Sequence, residues 1–113
     1  MWPVRYHPEA ERELHGLPLD ERVAVLHAVD KLAALGPALR YPHQSEVRGG
    51  GGLRELRPRA GRSPWRAFYR RVESAYVIGA IGSEAQVDKR GFARAVKAAN
   101  SRLSEIEQEG RQP

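Results

Sequence analysis

Trp65-Arg66-Ala67-Phe68-Tyr69-Arg70-Arg71-Val72, the pair Glu73-Ser74, and Ala75-Tyr76-Val77-Ile78-Gly79-Ala80-Ile81-Gly82 together read as a β-hairpin at the centre of a sheet. The first segment, from Pro64 onward, is rich in aromatic residues, and the second in residues that fit a pleated surface. The break between them is two residues long, although it lacks the glycine that tight hairpin turns favour. Tyr76 to Ile81 is apolar without alternation, the mark of a central strand buried on both faces. Alternation in the first segment places Arg66, Phe68 and Arg70 on one face and Trp65, Ala67 and Tyr69 on the other.

Working outward, Leu53-Arg54-Glu55-Leu56-Arg57 is a further strand, with Arg54 on one face and Leu53, Glu55 and Arg57 on the opposite one. Residues 45–48 suit a short edge strand, joined to it by the turn Gly49-Gly50-Gly51-Gly52. Val4-Arg5-Tyr6-His7 alternates as a short first strand closed by Pro8. Helical patterns follow from Glu9 to His15, ended by Gly16, and from Pro18 to Gly36-Pro37, with Val25, Leu26, Val29, Leu32 and Leu35 at helical spacing. After Gly91 the helical period returns, with Phe92, Val96, Ala99, Leu103 and Ile106 in one stripe. The fold class is therefore α+β: a twisted antiparallel sheet of about four strands, with two N-terminal helices and a C-terminal helix packed on one face.

A chain of 113 residues is one small domain. It has no cysteine, which removes disulfides and thiolate metal sites. The start of the chain has no apolar run suited to a signal peptide, and no segment approaches the ~20 apolar residues of a membrane helix. These features lead to an expectation of a cytoplasmic protein. The net charge of +5 is unevenly placed. Residues 1–36 carry four bases and six acids, and residues 73–113 carry six of each. Residues 37–72 carry nine arginines against only Glu46 and Glu55. Guanidinium groups stay charged and match phosphate with a planar fork of donors, so this segment points to nucleic acid.

Arg66 and Arg70 flanked by aromatic residues on a strand can hold a phosphate and offer rings for base stacking. The competing reading packs Trp65, Phe68 and Tyr69 into the core while the arginines extend past them to solvent. The four histidines share no metal-ligand spacing, and no metal site is expected. His43, on the loop feeding the basic segment, is the histidine best suited to acid–base work. The four-glycine run has no following Lys-Ser or Lys-Thr and is not a phosphate-binding P-loop.

Leu53-Arg54-Glu55-Leu56-Arg57, Trp65-Arg66-Ala67-Phe68-Tyr69-Arg70, an apolar strand, and Asp88-Lys89-Arg90 before a final helix resemble, in that order, the RelE/ParE toxin superfamily, and within it the HigB-like, phage-derived branch. The resemblance spans roughly residues 4 to 106, and implies one RelE-like toxin domain over 1–108 with a frayed tail at 109–113. It also implies the toxin of a type II toxin–antitoxin pair, a ribosome-dependent mRNA endoribonuclease that inhibits translation without metal or other cofactor. In that chemistry the nucleotide's own 2′-hydroxyl attacks the adjacent phosphate while placed cations stabilise the developing charge. Carried over by position, Arg66 is the phosphate-stabilising arginine, Lys89 and Arg90 are the basic pair beside it, and Arg57 is a supporting cation. His43 and Tyr69 complete the catalytic candidates, and Arg54, Arg57, Arg62 and Arg70 the nucleic-acid-binding ones. The implied partners are a cognate protein antitoxin of helix-turn-helix type, the ribosome and mRNA.

The chain departs from the pattern at three places, one being Lys89-Arg90, preceded by the acidic-polar loop 83–88, where the HigB-like branch often shows two lysines. RelE proper has a proton-transferring tyrosine near the start of the last helix, where Phe92 stands here. RelE-type sequences also have lysine in the strand where this chain has Leu53 and Glu55. His43, Glu55, Tyr69 and Asp88 are the residues able to supply the missing acid or base. A ParE-like, non-enzymatic inhibitor of DNA gyrase is the alternative; an exposed apolar stripe on the last helix would favour it. A degenerate toxin fold that only binds its partners is the third reading.

Overall fold

The computed structural model describes residues 1–111, with the side chain of residue 111 outside the description. In chain order the elements are β1 (Val4–Tyr6), α1 (Pro8–His15), α2 (Leu19–Leu35), β2 (Gln44–Glu46), β3 (Arg54–Leu56), β4 (Trp65–Val72), β5 (Ala75–Ser83) and α3 (Lys89–Arg111). A short 3₁₀ turn occupies Gly36–Ala38, and Pro58–Gly61 form a tight turn with left-handed backbone at Arg59 and Ala60. The sheet has five strands in the order β1-β5-β4-β3-β2. It therefore exceeds the expected four because β1 joins it, lying parallel to β5, whereas the remaining pairs are antiparallel.

The helices cover both faces of the sheet, which corrects the one-face arrangement. On one side α1 and α2 bring Ala10, Leu14, Val25, Ala28 and Leu32 against Leu56, Ala67, Tyr69, Tyr76, Ile78 and Ile81. On the other, Ala95, Ala99 and Leu103 of α3 cover Leu53, Phe68, Val77 and Ala80. The physical reason lies in β5, every residue of which is buried. A strand apolar on both faces cannot leave either one to water. The register shifts between Phe68 and Tyr69, whose partners are Ala80 and Ile78, so Gly79 is the extra residue of a bulge. A Cβ at Gly79 would lie 3.0 Å from the Ala99 Cα, and one at Gly82 only 2.4 Å from the Ala95 Cβ. Absent side chains there let α3 lie directly on the strand.

β1 pairs only with residues 76–78, so the outer edge of β5 continues uncovered beyond it. Side chains occupy that edge. Glu13 of α1 accepts the Ile81 N–H at 3.0 Å, Arg102 of α3 donates to the Gly79 carbonyl at 2.9 Å, and the two form an ion pair. Backbone groups that a further strand would satisfy are thus partnered, which blunts a template for unwanted pairing.

At the start of α3, Asp88 accepts the Gly91 N–H at 2.9 Å and acts as its cap. Lys89 and Arg90, expected just before the helix, are its first residues. The helix extends through positions 109–111 of the expected tail, while 112 and 113 lie outside the described residues. Among the described residues no helix is long and apolar enough to cross a membrane.

Candidate functional site

Strand register assembles the site. Glu55 of β3 faces Phe68 of β4 across the ladder, so Glu55, Arg57 and Arg66 share the sheet face on which α3 packs. They gather at the end of that face where β4 begins and β3 ends. Glu55 Oε1 accepts from the Ser45 hydroxyl at 2.9 Å and from Arg57 Nη1 at 3.0 Å, with Arg66 Nε 3.8 Å away. Glu84, just before α3, approaches Arg66 Nη2 from the other side at 3.8 Å. The result is an alternating row of charges, Arg57, Glu55, Arg66 and Glu84.

The two arginines sit at different depths. Arg66 is only 2% exposed. Its guanidinium donates to the carbonyls of Ser63 at 2.7 Å, Trp65 at 2.9 Å and Gly61 at 3.3 Å, which ties down the loop before β4. Its Nε has no hydrogen-bond partner. Burial, followed by the neighbouring Arg57 charge, lowers the proton affinity of Arg66, against the opposing pull of Glu55 and Glu84. Arg57 lies nearer the surface. It donates to the Pro42 carbonyl at 3.0 Å and its guanidinium stands 5.2 Å from the centre of the Tyr41 ring, an exposed cation–π contact.

The loop between β3 and β4 is fastened from α2. Arg59 contacts both oxygens of Glu21, at 2.8 and 2.9 Å, and Ser63 Oγ donates to the same carboxylate. Arg59 and Ala60 have positive φ, a conformation that costs energy in non-glycine residues and persists only when its surroundings enforce it. Arg62 is exposed on this loop and donates to the Arg59 carbonyl at 3.0 Å.

The other candidates are distributed around this group. His43 shares with Arg57 a cavity of about 270 Å³ on the α2 side, lined also by His27 and Lys31. Lys89 and Arg90 are exposed on the first turn of α3, at the end of the segment that Glu84 ties to Arg66. Tyr69 is on the opposite face of the sheet from Arg66, 2% exposed and edge-on to Tyr76 at 5.7 Å. Burial pushes its phenol up to about 12, an effect that Arg54 opposes and Tyr76 reinforces. Arg54 lies on that same face, bonded to Gln44 Oε1 at 3.1 Å. Arg70 is held by Glu107 at 2.8 Å and Asn100 at 2.9 Å, both on α3. Asp88 is committed to its cap. Among the four candidates for the missing acid or base, Glu55 is the one whose side chain pairs with both arginines, while His43 meets Arg57 through its carbonyl, which accepts the Arg57 backbone N–H at 2.9 Å. The signal for Glu55 in the sequence is a carboxylate two positions from Arg57, on the same face of a short strand.

Solved structures place the architecture. The chain is similar to the toxin RelE of E. coli, solved as a mutant in the free state, with a TM-score of 0.61 and 15% identity over 85% of this chain and 95% of that one. It is also similar to the archaeal RelE–RelB complex from Pyrococcus horikoshii OT3, at 0.54 and 21% identity over 73% and 93% of the two chains. A third similarity is to the toxin–antitoxin complex RelBE2 of Mycobacterium tuberculosis, at 28% identity and 0.47 over 74% and 92%. No curated protein matches by sequence. The fold is that of the E. coli and Pyrococcus RelE structures. More specifically, residues 12–81 match the family described as Phage derived protein Gp49-like (DUF891), and the chain belongs to that phage-derived family.

Proposed function

We propose that this protein is the toxin of a type II toxin–antitoxin pair and cleaves mRNA at the ribosome, with Arg57, Glu55 and Arg66 at its active centre. The observation that carries the reading is the Glu55 carboxylate held between two guanidinium groups at one end of a RelE-like sheet. Glu55 takes the proton of a ribose 2′-hydroxyl, and the 2′ oxygen attacks the adjacent phosphorus. The bond to the 5′ oxygen breaks, leaving a 2′,3′-cyclic phosphate on one fragment. His43, reached across Arg57, returns a proton to the departing 5′ oxygen. Arg57 contacts the phosphate, and Arg66 contributes its charge from beneath while holding Glu55 and the loop in position.

Lys89 and Arg90 support the same reading. Cations in the first turn of a helix oppose the helix dipole and are disfavoured there. Local preference broken in this way is a mark of function, here the guidance of an RNA backbone toward Arg57. Arg54, Arg62 and Arg70 serve as further nucleic-acid contacts. A protein antitoxin is the proposed partner, supported by the Pyrococcus RelE fold being found with RelB, and we assign it to the helix-turn-helix type. The compartment is the cytoplasm, where ribosomes are.

The gyrase alternative depended on an exposed apolar stripe on the last helix. Ala99 and Leu103 are fully buried, and Phe92 packs edge-on against Phe68 at 5.4 Å. The helix with large exposed apolar side chains is α2, at Leu19, Val23 and Leu26. The nuclease reading is tested by adding the purified protein to a bacterial translation extract with a reporter mRNA. Fragments that form only during translation and end in 2′,3′-cyclic phosphate are expected. An intact message contradicts the reading.

A further inference from the structure

A second concave site lies on the α2 side of the sheet, toward the end of β4 and the start of β5, away from the Arg57–Glu55–Arg66 group. It is a cleft of about 610 Å³, lined by Arg40, Arg54, Arg71, Gln44, Tyr69 and Tyr76. That volume falls in the range of small-ligand sites. Among the described residues Arg57, Arg59, Arg66 and Arg70 each pair with a carboxylate, whereas Arg40, Arg54 and Arg71 pair with none. Glu46, the register partner of Arg54, makes no ion pair with it. Three unneutralised guanidinium groups around one concavity repel one another, and an anion between them relieves that repulsion.

The donors are also positioned in advance. Arg71 donates to the Glu73 carbonyl at 3.0 Å and lies 5.0 Å from the centre of the Trp2 ring. Arg54 is fixed by Gln44, whose amide nitrogen is itself bonded to the Leu39 carbonyl at 3.1 Å. Tyr69 keeps its hydroxyl proton throughout the neutral range. The wall therefore offers mainly donors, which suits a ligand rich in acceptors, and arginine forks match phosphate oxygens in geometry as well as charge.

We propose that this cleft binds the phosphate group of a nucleotide, presented either by a free nucleotide or by a nucleic-acid strand, at a site separate from the one that cleaves. The inference does not rest on the cleavage reading, because binding is measured without ribosomes and without turnover.

The test uses the full chain and two probes, adenosine monophosphate by calorimetry and a labelled single-stranded oligoribonucleotide by fluorescence anisotropy. Arg54→Gln and Arg71→Gln are compared with Lys97→Gln, a change at an exposed position on α3. Both arginines are exposed, so the variants fold, which circular dichroism checks. If the cleft is a free-nucleotide site, the two arginine variants weaken both probes about tenfold and Lys97→Gln weakens neither. If it receives a strand backbone, only the oligonucleotide weakens, and its salt slope falls by about one for each contact removed. Unchanged binding of both probes overturns the proposal. So does a cleft that captures a polyglutamate peptide through these arginines while ignoring both phosphate probes, which would make it a site for an acidic protein partner.

Discussion

Arg57 Nη1 stands 3.0 Å from Glu55 Oε1. The same oxygen faces the unpartnered Nε of Arg66 at 3.8 Å, so one carboxylate is shared by a near-surface and a buried guanidinium. Under the proposed function a substrate phosphate meets Arg57, whereas Arg66 already gives its donors to the protein. This division of labour separates effects on chemistry from effects on folding.

Arg66→Ala is expected to lower stability by about 3 kcal/mol, because it leaves Glu55 and Glu84 without their shared cation and three loop carbonyls without a donor. Urea unfolding checks the value. Arg66→Lys restores part of the charge but not the fork that reaches Gly61, Ser63 and Trp65, and should fall between the two.

Gly82→Ala is expected to cost about 1–3 kcal/mol by overpacking β5 against Ala95. The matched change Ala95→Gly in the same chain removes the opposing methyl and should recover part of the loss. Urea midpoints of the two single variants and the double variant give the coupling.

Stability should decline at high pH in a specific window. The Tyr69 phenol is raised to about 12 in the folded chain, as is that of Tyr6, mainly by burial in both cases. An unfolded tyrosine ionises near 10, so above that the unfolded state releases protons that the native state retains. The stabilisation is complete below pH 10 and is lost as pH rises toward 12. Replacing both tyrosines with phenylalanine should flatten this part of the curve, measured by urea midpoints alongside phenolate absorbance.

Glu13→Ala leaves the Ile81 N–H and the Arg102 guanidinium without their carboxylate. A loss of about 1–2 kcal/mol is expected, together with self-association through the opened edge of β5. Denaturation and size-exclusion chromatography read the two effects separately.

The sequence made the central hairpin legible because β4 is rich in aromatic residues and β5 is an unbroken apolar run, a composition that matches burial along all of β5 and from Arg66 to Tyr69 in β4. The absence of alternation in β5 demanded cover on both faces, yet the expected arrangement put every helix on one face; the packing of α3 opposite α1 and α2 corrects it. The bulge at Gly79 was hidden, because an extra residue in an all-apolar strand leaves no break in pattern. For the site, alternation already separated Tyr69 from Arg66 and placed Glu55 beside Arg57. What joined Arg57, Glu55 and Arg66 was the register between β3 and β4, which depends on the intervening loop. That loop is held by the distant contact of Arg59 with Glu21, a pairing that local sequence does not encode. His43 and Lys89-Arg90 depended likewise on how a loop and a helix start are folded back onto the sheet.

The most direct test of the account is primer extension on a reporter mRNA in a bacterial translation extract, comparing the wild type with Arg57→Gln and Glu55→Gln. Glu55→Gln preserves size, Arg57→Gln removes the charge on a shorter side chain that keeps some hydrogen bonding, and unfolding midpoints check that both variants are folded. The account predicts translation-dependent cuts by the wild type that fall by about a hundredfold or more in each variant. Undiminished cutting by folded Glu55→Gln would contradict its role as the base, and an mRNA left intact by the wild type would contradict the account at its centre.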